Sequence, residues 1–527
     1  MKRILTKFII TFLAVCISAS ALLLAAGCGD KTKYDFTIWV MADTISIDNL
    51  GNADVFKEME RITGKKIKFI MDSGDKLQML FSTNEYPDAI LTILGDAAGY
   101  PGGMDKGISD GVILDLTDLI NEHAPNYKAF VNSDPDIKRE VITDNGRMGA
   151  MYAVSADTQG PWWGYVMRKD LLVKYADNFT FAYDEEAGCK IPVTYSDWTQ
   201  VLWQMKKPKS QGGEGMASPL FLNSSGSDMF DFLSAGFGVM AGFYNEDGTV
   251  KYGPKEQGFK DYLEQIQNWY AGGFIHASYN LNNILLPGLV DTIGNQNTAP
   301  SVMAFPYVYT LIDGLEKDAK AIGIENFELV AVPAPKANAN DQLHIRNTNA
   351  RIGAHVLITK KCSDPAGLVS WFDYFYSTEG SLLANYGTEG KTYTMVEGKP
   401  VFTETFKNEP DFYKYATHAF PTVYDWRREL QVISPKAINA MTVWETDNDG
   451  SYLLSPAITL TTAEGARETA LMVDINTYVT ENVMKFIKGQ LALSNFDSFV
   501  QQLKTLGIEE VIANKQAGLN RFNTRQV

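Results

Sequence analysis

The segments FTIWV (36–40) and VFKEMERITGKKIKFI (55–70) decide the fold. The first is a short run of β-branched and aromatic residues, which predicts a strand. The second has apolar residues at helical spacing over Val55–Thr63, stops at Gly64, and continues over Lys66–Ile70 as another strand. Strand, helix and strand in this order predict the opening of an α/β sheet.

The same alternation continues along the chain. Leu77–Phe81 predicts a short helix, and Tyr86–Ile93 predicts another buried strand, entered through a proline turn. Later segments predict further helices over Tyr195–Lys206, Gln257–Ala271 and Ala366–Phe375, and further strands over Val302–Phe305, Glu328–Val332 and Gly353–Ile358. Strands separated by helices predict a mostly parallel sheet.

The N-terminus has the layout of an export signal. Lys2, Arg3 and Lys7 precede an uncharged, largely apolar run over 8–26, which Gly27-Cys28 follows. LAAGC (24–28) resembles a bacterial lipobox, with Ala25 where the usual pattern has Leu. We therefore expect a signal peptide over 1–27 and a lipid on Cys28. The alternative is a transmembrane helix, which a run of this length allows; in both cases the rest of the chain lies outside the cytoplasm.

The composition excludes several classes of partner. The 527-residue chain has a formal net charge of -16, and removing residues 1–27 lowers it further because they contain only basic charges. Such an acidic surface argues against nucleic acid or an anionic membrane as a partner. We interpret the acidity as a device that keeps an exported protein soluble.

The sequence offers no cofactor or metal motif. Its five His are scattered, without C-x-x-C or H-E-x-x-H spacing, so we expect neither zinc nor iron. The glycine-rich QGGEG (211–215) lacks the Lys-Ser or Lys-Thr ending of a P-loop, so we expect no nucleotide. Cys189 and Cys362 are the thiols that remain beyond Cys28, and the sequence leaves open whether they pair.

Eight segments, in order over nearly the whole mature chain, share one resemblance. They are VFKEMERITGKKIKF (55–69), NEYPDAIL (84–91), DGVILDLTDLINEHAPNY (110–127), MYAVSADTQGPWWGYVMRKDLL (151–172), NEDGTVKYG (245–253), YLEQIQNWYAGGFIHASY (262–279), WFDYFYSTEGSLLANYGTEGKTYTMVEGKP (371–400) and a tail within 474–523. Together they resemble family 1 of the bacterial extracellular solute-binding proteins, in particular its long, oligosaccharide-binding lipoprotein branch.

The resemblance implies an α/β, two-lobed fold of the periplasmic-binding-protein kind, with a ligand cleft between the lobes and a hinge. Lobe crossings need short extended connections, and Met151–Ser155 and Val330–Lys336 fit that need. We predict a linker over 28–33. The first lobe would take 34–155 and 337–403, and the second would take 156–336 and 404–527.

The resemblance also implies a function. It predicts an extracytoplasmic binding protein of an ABC importer, lipid-anchored at the outer face of the cytoplasmic membrane, monomeric and not an enzyme, that passes a carbohydrate to the transmembrane permease subunits. Alternatives are a receptor for a peptide, polyol or lipid-linked sugar precursor, an extracellular polysaccharide-acting enzyme, and a purely structural lipoprotein. Some members of the branch carry a calcium loop, but the matching PKSQGGEGMASP (208–219) has Glu214 as its one carboxylate, so no calcium is expected.

A sugar site needs aromatic platforms and planar polar side chains. The densest such cluster follows the first predicted crossing and contains Gln159, Trp162, Trp163 and Tyr165. Neighbours in an extended segment point to opposite sides, so at least one of the two tryptophans should face the cleft. Further predicted ligand contacts lie near strand ends or beside the crossings, where open α/β sheets bind ligands: Asp157, Trp39, Tyr307, Tyr309, Trp426, Arg427 and Trp444.

Four other tryptophans lie at apolar positions of predicted amphipathic helices. We predict that they belong to the hydrophobic core: Trp198, Trp203, Trp269 and Trp371. The acidic run Asp184-Glu185-Glu186 precedes Gly188 in a predicted loop, and we interpret it as solvated rather than catalytic.

Overall fold

The computed structural model describes residues 33–42, 45, 47–92, 100, 102–222, 227–275, 302–345, 351–417, 420–446 and 449–527. The predicted signal peptide, the Cys28 lipidation site and most of the predicted linker lie outside these residues. Within them, no helix combines the length and the apolar character that a membrane crossing needs.

The strands form two main sheets and three short hairpins. In chain order they are β1 (Phe36–Met41), β2 (Ile67–Asp72), β3 (Ala89–Thr92), β4 (Ala150–Val154), β5 (Trp163–Arg168), β6 (Tyr183–Asp184), β7 (Cys189–Lys190), β8 (Phe243–Glu246), β9 (Thr249–Tyr252), β10 (Ala304–Val308), β11 (Leu329–Ala331), β12 (Ile352–Ile358), β13 (Tyr393–Val396) and β14 (Lys399–Phe402).

Helices cover these sheets and supply most of the buried apolar surface. In chain order they are α1 (Asp54–Thr63), α2 (Leu77–Thr83), α3 (Met104–Ser109), α4 (Thr117–His123), α5 (Pro125–Val131), α6 (Pro135–Val141), α7 (Lys169–Lys174), α8 (Tyr195–Lys206), α9 (Ser227–Ser234), α10 (Gln257–Ala271), α11 (Ile312–Ala321), α12 (Pro365–Asp373), α13 (Thr378–Tyr386), α14 (Glu404–Asn408), α15 (Phe412–Tyr415), α16 (Pro435–Glu445), α17 (Thr462–Ile487), α18 (Phe496–Thr505) and α19 (Ile508–Asn523).

The first sheet has the strand order β2-β1-β3-β12-β4. β1 pairs in parallel with β2 and β3, whereas β12 is antiparallel to both β3 and β4. The direction of β12 follows from the path of the chain, because β4 leads to the second sheet and β12 returns from it. The carboxyl ends of β1 to β4 therefore share one edge of the sheet with the start of β12.

The second sheet has the order β10-β5-β11 and is antiparallel throughout. The expectation of mostly parallel pairing is wrong here. β5 arrives from the first sheet and β11 leads back towards it, so the two strands must run in opposite directions. Pro306 in β10 opposes Tyr165, and an edge strand tolerates this proline because its other side needs no hydrogen-bonded partner.

Each sheet belongs to its own hydrophobic core. The first core draws on residues between Phe36 and Val154 and between Ile352 and Ala384, and the second on residues between Tyr165 and Ile345 and between Trp426 and Val511. The first core also contains Phe420 and Ala457, which the predicted boundaries assign to the second lobe. We refer to the two cores with their sheets as the first and second lobes.

Local patterns predicted most elements well. The predicted helices Tyr195–Lys206 and Gln257–Ala271 have the observed bounds, and Gly64 ends α1 in the left-handed conformation with φ 65°. The predicted strand Val302–Phe305 instead begins at Ala304. Cys189 and Cys362 are free and buried in different cores, so they do not pair.

The prediction that four tryptophans belong to the hydrophobic core is wrong for Trp203. Trp198, Trp269 and Trp371 are buried, whereas Trp203 is 57% exposed. Trp203 lies five residues after Trp198 on α8, which places it about 140° around the helix axis from the buried face.

Candidate functional site between the two lobes

Three segments pass between the lobes and are hydrogen-bonded to one another. Ser155 follows β4, Arg351 precedes β12, and Val423 and Tyr424 return towards the second lobe. The Val154 amide donates to the Thr422 carbonyl at 2.9 Å, and the Tyr424 amide donates to the Val154 carbonyl at 2.8 Å. The Ser155 amide donates to the Arg351 carbonyl at 2.8 Å. These bonds form the hinge side of the interlobe space.

A buried carboxylate connects the residues beside this hinge. The Glu429 carboxylate accepts from the Tyr424 hydroxyl at 2.5 Å, from the Tyr309 hydroxyl at 3.2 Å and from Gln159 Nε2 at 3.4 Å. Gln159 Nε2 also donates to the Tyr309 hydroxyl at 3.2 Å. Burial and the nearby carboxylate raise the pKa of Tyr309 above its usual value. We call Glu429, Tyr424, Tyr309 and Gln159 the Glu429 network.

Trp162 supplies an aromatic surface next to this network. Its ring centroid lies 5.8 Å from that of Tyr309, with the rings tilted by 48°. Its carbonyl accepts from the Tyr309 amide at 3.1 Å, which holds the start of β5 against the end of β10. Trp162 and Trp163 are both partly exposed, so each offers ring surface to solvent or ligand.

Tyr307 is half-buried on β10, where it opposes Gly164 across the sheet. Gly164 must be a glycine because a Cβ there would lie 2.5 Å from the ring of Trp444. Trp444 is therefore packed directly beneath the start of β5, and its indole nitrogen donates to the Tyr165 carbonyl at 3.0 Å.

A polar group forms the outer part of the site. Asp157 is 43% exposed and accepts from the Trp426 indole nitrogen at 2.9 Å and from Arg427 Nη1 at 3.0 Å. The hydrogen bond from Arg427 keeps the pKa of Asp157 below its usual value despite partial burial. Arg427 is 55% exposed and lies over the Trp426 ring, 4.8 Å from its centroid. Asp157, Trp426 and Arg427 thus act as one unit across two crossing segments.

Five of the predicted contacts are buried in the cores in this conformation. Trp39 lies in the first core, and Tyr165, Tyr309, Trp426 and Trp444 lie in the second. Tyr165 packs edge-on against Trp198 at 5.4 Å. Trp39, Tyr165, Tyr309 and Trp444 offer a ligand almost no surface. The crossing segments bring together the exposed Arg427, the partly exposed Asp157 and Trp162, and the buried Gln159 and Trp426.

Glu429 and Tyr424 were not predicted. Both lie in YDWRRE (424–429), a dense mixture of aromatic and charged residues without helical periodicity, and that density was the available signal. Gln159, the partner of Glu429, is 270 residues away, so no local pattern could reveal the network.

Glu214, the one carboxylate of the 208–219 loop, already has partners. It accepts a hydrogen bond from the Tyr175 hydroxyl at 2.7 Å and forms an ion pair with Lys174. Within the described ranges, no cluster of three or more His, Cys, Asp or Glu side chains has the arrangement of a metal site.

Known proteins resemble the chain along its whole length. No family model matches it. The fructooligosaccharide ABC transporter substrate-binding protein FusA of Streptococcus pneumoniae serotype 4 is 21% identical over 571 aligned positions, covering 97% of this chain and 98% of that protein. Lipoprotein LipO of Bacillus subtilis strain 168 is 21% identical over 531 aligned positions, covering 93% and 95%. Over nearly its whole length, the chain is thus similar to an ABC transporter substrate-binding protein and to a lipoprotein.

Solved structures of such substrate-binding proteins share its fold. A human-milk-oligosaccharide (HMO) binding solute-binding protein of Bifidobacterium longum infantis superimposes with a TM-score of 0.71 at 14% identity, covering 94% of this chain and all of that one. Alginate-binding protein AlgQ2 gives a TM-score of 0.69 at 21% identity, covering 93% and 99%. FusA in complex with kestose gives 0.69 at 17% identity, covering 93% and 100%. The predicted two-lobed α/β fold and the predicted resemblance are confirmed.

Proposed function

We propose that this protein is the extracytoplasmic solute-binding component of an ABC importer and binds a carbohydrate, of oligosaccharide size, in the interlobe site. The observation that carries the proposal is the partly exposed Trp162 against the buried Tyr309, with the Gln159 amide beside them at the hinge. An aromatic ring can stack on the apolar face of a sugar, and a fixed amide can select its hydroxyl groups. Relatives named for oligosaccharide binding support the ligand class.

Binding and release require no covalent chemistry. A ligand that contacts both lobes binds the closed conformation more tightly and shifts the population towards it. The closed form then docks on the permease subunits. Asp157 also fits a binding role better than a hydrolytic one, because a glycosidase needs a general acid with a raised pKa, whereas Arg427 lowers the pKa of Asp157.

The proposal extends to attachment and assembly. A lipid on Cys28 would hold the protein at the outer face of the cytoplasmic membrane, and a monomer would dock on the permease. The name of the relative LipO supports a lipoprotein. Cys28→Ala should abolish labelling of the protein with radioactive palmitate, and unchanged labelling would contradict the anchor.

A thermal-shift screen tests the ligand class. The full chain is solubilised in a detergent without a sugar headgroup and heated with neutral oligosaccharides, and each sugar is then examined by chromatography. A ligand at about 100 times its Kd stabilises the fold by about 2.7 kcal/mol. Stabilisation with the sugar recovered intact is expected; a cleaved sugar would indicate an enzyme, and no stabilisation across the panel would contradict carbohydrate binding.

A matched pair of variants locates the site. Trp162→Ala should weaken binding of the identified sugar by about 30-fold, which corresponds to a loss of about 2 kcal/mol for a buried aromatic contact. Tyr183→Ala removes an exposed aromatic side chain on β6, outside the interlobe residues, and should leave that affinity unchanged. Equal loss in both variants, or in neither, would contradict the proposed position of the site.

A further inference from the structure

A groove on the second lobe is formed without any residue of the first lobe. It has a volume of about 690 Å³ and lies mainly between α8 and α10. This volume is within the range of small-molecule sites, about 300–1,000 Å³. The lining side chains that matter for binding are Asn178, Thr199, Gln200, Trp203, Gln204 and Gln265.

Trp203 is the unusual member of this set. It is 57% exposed, although an indole is among the side chains that gain most from burial. Within the described part of the chain, Lys207 is the one cation recorded over its ring, with Nζ 5.8 Å from the centroid. The indole therefore keeps a large apolar surface in contact with solvent, next to a groove of polar side chains.

The carboxamides of Gln200 and Gln204 are held in fixed orientations. Gln200 Oε1 accepts from the Thr180 amide at 3.2 Å and from the Thr180 hydroxyl at 3.0 Å. Gln204 Nε2 donates to the Gly212 carbonyl at 2.6 Å. Within the described residues, the amino group of Gln200 and the oxygen of Gln204 make no further hydrogen bond. One donor and one acceptor therefore remain for a ligand, one helical turn apart.

Two more amide side chains complete the polar lining. Gln265 on α10 and Asn178 after α7 make no side-chain hydrogen bond to any described residue, yet both line the groove. Gln200, Trp203 and Gln204 are spaced i, i+3 and i+4 on α8, so they share one helix face. The lining contains no charged side chain, which disfavours an ionic ligand.

We propose that this groove is a second carbohydrate-binding site, specific for neutral saccharides and separate from the interlobe site. The indole of Trp203 is the platform for the apolar face of a sugar ring. The amides of Gln200, Gln204 and Gln265 bind its hydroxyl groups. An open groove with a single aromatic platform binds weakly, so the expected Kd is on the order of millimolar. Such a site keeps saccharide close to the protein surface independently of hinge closure.

Fluorine NMR of the full chain labelled with 5-fluorotryptophan tests the proposal. The nine tryptophans give separate signals, and Trp203→Phe assigns the relevant one. The probes are maltotriose, cellotriose, xylotriose and kestose, each titrated to about 10 mM, which covers a millimolar site. With at least one probe, the Trp203 signal should shift saturably. An unchanged Trp203 signal with all four would overturn the proposal.

Variants separate this site from the interlobe site. In Trp162→Ala the Trp203 shift should persist, so the groove can be confirmed even where the proposed importer function fails. Gln200→Ala and Gln265→Ala should each raise the Kd about fivefold, as expected for the loss of one neutral hydrogen bond. Gln257→Ala is the matched control on α10, outside the groove, and should change nothing.

Two results would contradict a second site. Loss of the Trp203 shift in Trp162→Ala would mean that this tryptophan reports closure of the lobes rather than direct binding. An equal shift in the Gln200→Ala and Gln265→Ala double variant would mean that the saccharide does not use the groove. A peptide probe that shifts Trp203 when no saccharide does would assign the groove to a protein partner instead.

Discussion

Glu429 shows how one buried carboxylate can fix the orientation of ligand-binding side chains without contacting the ligand itself. It accepts three hydrogen bonds, and their donors come from two of the crossing segments and from the end of β10. Since each donor is itself buried or partly buried, losing its acceptor costs free energy that water cannot restore. Glu429 thereby fixes Gln159 and Tyr309 in the orientation in which Trp162 packs against them.

Glu429→Gln tests this role. An amide has a single acceptor oxygen and would direct its own NH₂ group towards one of the donors. We expect the free energy of unfolding to fall by about 1–3 kcal/mol, measured by urea titration, and the affinity for the cleft ligand to fall as well. Tyr424→Phe removes one donor and should cost less. Unchanged unfolding of Glu429→Gln would show that the network is dispensable.

Glu140 on α6 is a second carboxylate of structural interest, because its burial disfavours the ionised form. Burial raises its pKa to about 7. The charges of Asp136 and Asp134 act in the same direction, and the positive charge of Arg351 acts against it. The buried Oε2 atom of Glu140 has no hydrogen-bond partner. Between about pH 4.5 and pH 7, Glu140 is therefore protonated in the folded protein, whereas in the unfolded chain, where its pKa is near 4.5, it has already lost the proton. Stability should fall as the pH rises from about 4.5 to about 7 and then show no further contribution from this group.

Glu140→Gln should remove this pH dependence. The neutral amide has no charge to bury, so we expect the variant to be more stable than the wild type by roughly 1–3 kcal/mol at pH 8 and about equal at pH 4. Chemical denaturation at both pH values measures the difference. Glu122→Gln on α4 alters a well-exposed carboxylate and is the control. The same gain at both pH values would contradict the assignment to Glu140.

At the scale of elements, the 208–219 loop after α8 is held by an ion pair to a lysine of the protein, Lys174 at the end of α7. The ion pair of Glu214 with Lys174 and the hydrogen bond from Tyr175 connect the loop to the end of α7. The backbone is equally tight, because a Cβ at Gly213 would lie 2.0 Å from the Lys207 carbonyl oxygen. The ammonium of Lys174 thus supplies positive charge where a calcium loop would use a metal ion.

This loop should therefore be insensitive to calcium. We expect the melting temperature to be the same with added calcium and with the chelator EGTA, whereas Glu214→Gln should lower the unfolding free energy by about 1–3 kcal/mol because Lys174 loses its partner. Glu264→Gln on the exposed face of α10 is a control for the loss of one charge. A lower melting temperature in EGTA would show that the chain binds structural calcium.

Which elements could be predicted depends on how local their causes are. The bounds of α8 and α10 follow from helical periodicity within the segments themselves. The antiparallel second sheet could not be predicted, because strand direction depends on where β5 and β11 cross between lobes. At the site, Gln159 and Trp162 belong to one short polar and aromatic segment and were predicted. Glu429 is distant in the sequence and reaches Gln159 only in the folded chain, so it was not.

At the scale of the whole molecule, the C-terminal helix is a further connection between the lobes. Ile508 and Val511 at the start of α19 lie in the second core, while Phe522 near its end packs on the first. Beyond it, the buried Arg525 donates to Asp144 at 2.7 Å and to the Arg139 carbonyl at 2.8 Å. The end of the chain is thus attached to the first lobe, so closure of the lobes must either bend or carry this helix.

Arg525→Met tests whether this attachment makes the two lobes unfold together. The substitution keeps an apolar stem but leaves Asp144 with one guanidinium, that of Arg521, instead of two. Breaking a buried pair costs about 3–5 kcal/mol, and the partner that Asp144 keeps should place the loss at the lower end. The loss falls on the first lobe, so calorimetry should show one transition in the wild type and an earlier, separate transition of the first lobe in the variant.

Arg467→Met is the control. It removes an exposed ion pair with Glu510 of α19, and it should cost less than about 1 kcal/mol without dividing the unfolding transition. A single transition in Arg525→Met, shifted no more than in Arg467→Met, would mean that the crossing segments alone couple the lobes.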